Sequence, residues 1–244
     1  MIISTWNIRG LNKPYKQKEL KNFLQKNKID ILGCLETRVK EKKAKKILYK
    51  AAKDWGYCCN YTKAENGRIW VLWKTNLSVN IVQVHEQFIH YKVSDSVIGY
   101  QIMLTVVYAR NKLQERTSLW CDLQLVGGQV QIPWLISGDF NNVLTTDDRL
   151  GQPVTMNEVK EFKDCINSIQ LTPLKTKGCF YSWCNKQHAD DKVYSKIDKA
   201  FGNFEWIKEY GHVEADCLDP GVSDHSPIVD LIEKENQTLY ELEK

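Results

Sequence analysis

The chain has 244 residues, 43% of them hydrophobic, with 8 Trp, 11 Tyr and 7 Phe. That is enough apolar material for one sizeable core, and it excludes a disordered or low-complexity protein. Its 34 basic and 30 acidic residues leave a formal charge of +4, too small to mark a basic tail, and no apolar run reaches the roughly 18 residues that a membrane span needs.

The charge is unevenly spread. Between Arg9 and Lys53 stand 15 Lys/Arg against 4 acids, Glu19, Asp30, Glu36 and Glu41. Such a run suits an anionic partner or a pair of solvated helix faces. The 8 cysteines contain no C-x-x-C pair, and the chain opens on Ile2-Ile3-Ser4-Thr5-Trp6 with neither a charged nor an apolar leader pattern, so a reducing, intracellular setting is expected. Cys179 and Cys184 near His188 lack zinc-site spacing and read as idle thiols.

In chain order, Ile2–Ile8 predicts a strand. Leu20, Phe23 and Leu24 then share one face of a helix whose other side carries Lys16, Lys18, Lys21 and Lys26. Ile29–Leu35 predicts a second strand, followed by a helix with Ala44, Ile47, Leu48 and Ala51 inside. Ile69–Trp73, Val79–Val84 and Ile102–Tyr108 are rich in β-branched and aromatic residues and predict a sheet region. Trp134–Ser137 reads as a short buried strand running into Gly138-Asp139. Thr155-x-x-Glu158 forms a capping box for a helix with Val159, Phe162, Ile166 and Ile169 on one face. Cys179–Cys184, Val193–Ile197 and Pro227–Ile232 predict three more short strands, and 233–244 is a polar tail or the start of a linker. Strands dominate the middle of the chain without helices between them, which favours one α/β domain over 1–232: a four-layer sandwich of two packed mixed sheets flanked by helices.

Polar groups cluster where apolar strands end: Asn7, Glu36, Asp139 with Asn141, Asp198, and Asp224 with His225. Each alone reads as a turn residue or cap. As a set they match what metal-assisted attack on a phosphodiester requires, namely oxygen ligands for Mg²⁺, a base for the water and donors for the phosphate.

The same positions fall in an ordered series: Trp6-Asn7-Ile8-Arg9-Gly10-Leu11, Leu35-Glu36-Thr37, Val107-Tyr108, Gly138-Asp139-Phe140-Asn141, Tyr181-Ser182-Trp183, Ile197-Asp198 and Ser223-Asp224-His225-Ser226-Pro227. This series resembles that of the endonuclease/exonuclease/phosphatase superfamily, the AP-endonuclease and DNase I-like enzymes. Its wording, down to Asn203 and Trp206, is similar to the endonuclease domains of LINE-type, non-LTR retrotransposons. The resemblance implies a Mg²⁺-dependent enzyme, with Mn²⁺ able to substitute, that nicks one strand of duplex DNA. It implies a nuclear, monomeric domain without a membrane partner, working beside a reverse transcriptase domain in the parent element.

Residue by residue, the resemblance makes Glu36 the main metal ligand with Asn7 beside it, and gives Asp139 the attacking water with help from Asn141. His225 would donate to the scissile phosphate with Asp198 orienting its ring. Tyr108 would contact the phosphate, and Asp224 would lie near the leaving group or a second metal position. Arg9, Trp183 and Lys196 are the expected DNA contacts. Two departures stand out: Arg9 occupies a place where AP endonucleases carry an acid, and Lys196 one where the family has Arg. Another phosphoesterase of the same fold, acting on abasic DNA, an inositol phosphate, a sphingolipid or RNA, and a catalytically silent nucleic-acid binder are the alternatives. His85, His90, His188 and His212 match no motif.

Overall fold

The computed structural model describes residues 1–64, 68–95 and 99–232; the polar tail expected at 233–244 lies outside the described residues. The N-terminal half runs β1 (Ile2–Asn7), α1 (Pro14–Lys26), β2 (Ile31–Leu35), α2 (Glu41–Ala51), β3 (Trp55–Cys59), β4 (Ile69–Lys74), β5 (Ser78–Val84), β6 (Phe88–Asp95) and β7 (Tyr100–Tyr108). It continues through α3 (Thr117–Gly127), β8 (Trp134–Asp139), β9 (Arg149–Leu150), α4 (Met156–Ser168), β10 (Thr172–Pro173), β11 (Thr176–Gly178) and β12 (Trp183–Cys184). The last elements are β13 (Tyr194–Ser195), β14 (Asp198–Gly202), α5 (Phe204–Tyr210), β15 (Ala215–Cys217) and β16 (Ile228–Leu231).

The strands form a 7-stranded sheet, β11-β15-β16-β1-β2-β4-β3, and a 6-stranded sheet, β10-β14-β8-β7-β6-β5, with a small third sheet of β12, β13 and β9. Period-2 alternation turns Ile3, Ile31 and Val71 of the first sheet toward Tyr91, Leu104, Val106 and Leu135 of the second, and these form the inter-sheet core. The opposite face of the first sheet buries Trp6, Leu32 and Trp70 under Leu20, Phe23, Ile47 and Leu48 of α1 and α2. The second sheet does the same with Trp134 and Ile136 under Leu119, Leu123, Phe162 and Ile166 of α3 and α4. Both sheets mix parallel and antiparallel pairs, so the expected four layers are present. Among the described residues no helix is long and apolar enough to cross a membrane, and all 8 cysteines are free thiols.

Local signals explain the helix starts. Pro14 sits in the first turn of α1, where its missing N–H costs nothing. The Thr155/Glu158 box closes in both directions on α4, and the Asn203 side chain accepts from Trp206 N at the head of α5. The seam between the sheets is tight at Gly33, where a Cβ would lie 2.6 Å from Val106 Cγ1. Beside it the Thr5 and Ser137 hydroxyls hydrogen-bond across the seam at 2.9 Å.

Two expectations need correction. Lys16 does not lie on the solvated side of α1: it is buried, and its ammonium donates to Ile8 O at 2.7 Å and Arg9 O at 3.0 Å. The predicted strands Cys179–Cys184 and Val193–Ile197 shrink to Trp183–Cys184 and Tyr194–Ser195. The Ser182 hydroxyl takes the N–H groups of Ile197 and Asp198, which interrupts pairing before β14 begins.

Candidate active site

Strand register gathers the polar set at one rim. Asn7, the last residue of β1, pairs in parallel with Leu35, so Glu36 emerges beside it. Tyr108 ends β7 opposite Asp139 at the end of parallel β8, and antiparallel β14 starts with Asp198 across from Asp139. The loop entering β16, which pairs antiparallel with β1, delivers Asp224 and His225 to the same edge. An isolated bridge between Trp183 and His225 closes that side.

Asp139 is the hub. Its Oδ2 accepts from Asn7 Nδ2 at 2.8 Å and its Oδ1 from Asn141 N at 2.8 Å, while Asn141 Nδ2 is anchored to Ala109 O at 2.7 Å. Burial first, and the neighbouring Asp198 carboxylate second, push Asp139 up to about 7. Next to it, His225 Nδ1 lies 2.9 Å from Asp198 Oδ2; a carboxylate can only accept, so Nδ1 carries the proton and Nε2 faces Asn7 Nδ2 at 3.4 Å. Burial alone would lower the His225 pKa, but Asp198 and then Asp139 outweigh it and the pKa is raised. Ser223 braces the pair by donating to Asn7 O at 2.6 Å and accepting from His225 N, and Trp6 Nε1 holds His225 O.

An open cavity of about 370 Å³ lies over these groups, lined by Asn7, Glu36, Tyr108, Asp139, Asn141, Trp183 and His225, with Arg9, Arg38 and Arg149 at its sides. Burial, followed by Glu36 and Asp139, drives the Tyr108 phenol upward, so it stays protonated. Of the remaining candidates, Asp198 stands behind His225, and Asp224 is buried, with its Oδ2 shared by the Arg9 guanidinium and Trp183 Nε1. Lys196 does not line the cavity; its ammonium lies 5.0 Å from the centre of the Phe180 ring.

Arg38, paired with Glu36, and Arg116, which holds the carbonyls of Arg110, Asn111 and Asn141, were not anticipated. For Arg38 the signal is conformational. Arg9, Glu36, Arg38 and Asn141 all have φ between 47° and 52°, a left-handed geometry that concentrates at functional sites and that no residue identity here announces.

Asp139, Asp198 and His225 bring ligand-type atoms within 4.8 Å of one another. His225 Nδ1 and Asp198 Oδ2 are already committed to each other, however, so that trio is better read as an oriented imidazole beside an acid. The oxygen donors around the cavity are Asp139, the Glu36 carboxylate, which pairs with Arg38, and Asn7 Oδ1, which accepts from Arg9 N at 3.1 Å; by chemistry they are a hard set that fits Mg²⁺ or Mn²⁺.

The pattern of the Endonuclease/Exonuclease/phosphatase family matches residues 4–225. Solved structures with the same architecture include the endonuclease domain of TRAS1, a telomere-specific non-LTR retrotransposon, at 12% identity and a TM-score of 0.72, covering 96% of this chain and 99% of that one. A 3′ phosphatase from Neisseria bound to a product DNA hairpin gives 18% identity and a TM-score of 0.71, with 96% and 99% covered. An AP endonuclease from Leishmania major gives 14% and 0.71, with 94% and 86% covered. At such identities the likeness is one of fold, whereas the family match spans nearly all of the described chain. The chain therefore belongs to the Endonuclease/Exonuclease/phosphatase family.

Proposed function

We propose that the protein is a divalent-metal-dependent endonuclease that nicks one strand of duplex DNA, the target-cutting domain of a LINE-type retrotransposon. It works as a monomer in the nucleus alongside the element's reverse transcriptase. The observation that carries this reading is the convergence of two carboxylates, two amides and a carboxylate-held imidazole on one open cavity with arginines at its sides. Similarity to the TRAS1 endonuclease domain supports the retrotransposon context.

Glu36 and Asn7 Oδ1 would hold the metal, which when bound supplies charge neutralisation at the phosphate and a more acidic water. Asp139, fixed by Asn7 and Asn141, accepts the proton of the attacking water; a carboxylate pushed up to about 7 is matched to that task near neutral pH. His225 presents Nε2–H to the phosphate oxygens where charge develops, and Asp198 stabilises its imidazolium form. The Tyr108 hydroxyl donates to the same phosphate. Asp224 holds Arg9 at the cavity wall, so Arg9 and Trp183 meet the DNA backbone, while Lys196 stands outside the cavity beside Phe180.

Incubating supercoiled plasmid with Mg²⁺, with Mn²⁺ and with EDTA tests the reading. Conversion to open circles in either metal and none in EDTA is expected. Undiminished cutting in EDTA would sink the metal mechanism, and no cutting in any metal would leave a silent binder.

A further inference from the structure

A second cavity, of about 450 Å³, adjoins the first, and Arg9, Arg38 and Asn185 line both. Its other basic lining residues are Lys13, Lys16 and Lys186, and its one acidic lining residue is Asp224. Five cations around one hollow repel each other, and the effect registers at Lys16, whose pKa is lowered by burial first and then by Lys186, Lys13 and Arg9. Lys16 is only 8% exposed and spends two of its three N–H donors on Ile8 O and Arg9 O, leaving the third for the cavity it lines. Lys186 is similarly braced, by a 2.7 Å bond to Ser223 O. Ammonium groups pinned by backbone carbonyls are pre-positioned charges, unlike freely solvated lysines.

We infer that this second cavity is a phosphate subsite that receives the backbone phosphate next to the scissile one on the strand being cut. The inference rests on the nuclease reading above and deepens it. Arg9 and Arg38 stand in the wall between the two hollows, where a guanidinium can serve phosphates on both sides. Asp224 fixes one of them by its ion pair with Arg9.

The test uses Lys13→Gln and Lys186→Gln, singly and combined, on the whole chain. Both lysines are exposed, and the Lys13 ammonium lies over the Tyr15 ring at 5.9 Å, so the Lys13 variant leaves the Ser223 brace untouched. Binding of a short DNA duplex is measured in EDTA between about 50 and 200 mM KCl, where each lost phosphate contact should flatten the log–log salt slope by about 0.9. The double variant should lose about 1.8 from the slope with an unchanged melting temperature, and any loss of nicking should fall on KM. A neutral methylphosphonate beside the mapped nick should weaken wild-type binding and leave the double variant's unchanged. An unaltered slope with nicking intact would overturn the subsite and spare the nuclease reading. A lysine-dependent slope with no nicking in any metal would do the reverse, and a wild type that binds no duplex would overturn both.

Discussion

His90 and His225 are buried alike, each 4% exposed, yet their chemistry diverges. His90 sits in β6, where its Nδ1 lies 2.7 Å from Thr105 Oγ1, and that oxygen takes the indole N–H of Trp134 at 2.8 Å. With the indole N–H accepted, the Thr105 hydroxyl keeps its own hydrogen to offer to His90 Nδ1, an arrangement that suits a neutral ring. Burial pushes His90 down to about 4. At His225 the same nitrogen faces a carboxylate instead, and the pKa is raised. Low exposure alone makes a silent core histidine; an acid on Nδ1 converts it into a group that can carry charge to a phosphate.

The sharpest way to break this contrast is His225→Ala. It should cut nicking by about 10²–10³-fold, as removal of a transition-state donor does, with the melting temperature and most DNA binding retained. Asp139→Ala should cost about 10²–10⁴-fold for loss of the proton acceptor. Nicking rates, circular dichroism melts and filter binding on the same proteins read this out, and a folded His225→Ala variant cutting at the wild-type rate would refute the assignment.

Asp198→Asn asks whether the carboxylate is what separates the two rings. With the carboxylate on Nδ1 gone, the His225 pKa should move down toward that of His90, followed by NMR of the ring protons, and nicking should fall roughly 10–100-fold, as loss of an orienting partner does. An unmoved His225 pKa would transfer the effect to Asp139.

His90→Gln should leave nicking per folded molecule unchanged and alter only acid stability. The folded pKa of about 4 lies below the ordinary 6.5, so between those values the unfolded chain binds the extra proton. Stability from neutral His90 is thus complete above pH 6.5 and drains as pH falls toward 4. The variant should escape about 1–3 kcal/mol of that acid loss. Equal pH profiles of urea unfolding for the two proteins would show that His90 is not the acid-labile element.

Much of the site was legible because its residues punctuate apolar strands: Asn7, Glu36, Asp139 and His225 each stand where an alternating or continuous hydrophobic run stops, and sheet register then gathers them. β6 was hidden because His90 and Lys92 interrupt its run, although their neighbours Ile89, Tyr91 and Val93 are fully buried. α3 lacks a side-chain cap and an acidic first turn, so nothing marked its start. β14 escaped because the Ser182 hydroxyl, distant in sequence, breaks the preceding run. Lys16 looked like one more solvated lysine; only the turn after β1, which aims two carbonyls at its ammonium, makes it internal. Arg38 and Arg116 needed tertiary proximity that spacing cannot supply.

The seam at Gly33 and Val106 acts as a gauge block for the chemistry. Asn7, Glu36 and His225 ride on one sheet while Tyr108, Asp139 and Asp198 ride on the other, and the Asn7–Asp139 and His225–Asp198 bonds span the joint. The spacing of the two sheets is therefore the spacing of the groups at the candidate site. A single methyl at Gly33 would lie 2.6 Å from Val106 Cγ1 and 3.0 Å from Thr5 Cγ2, so those side chains or the layers that carry them would have to shift. Core packing at this seam is in this sense part of the calibration of the candidate site.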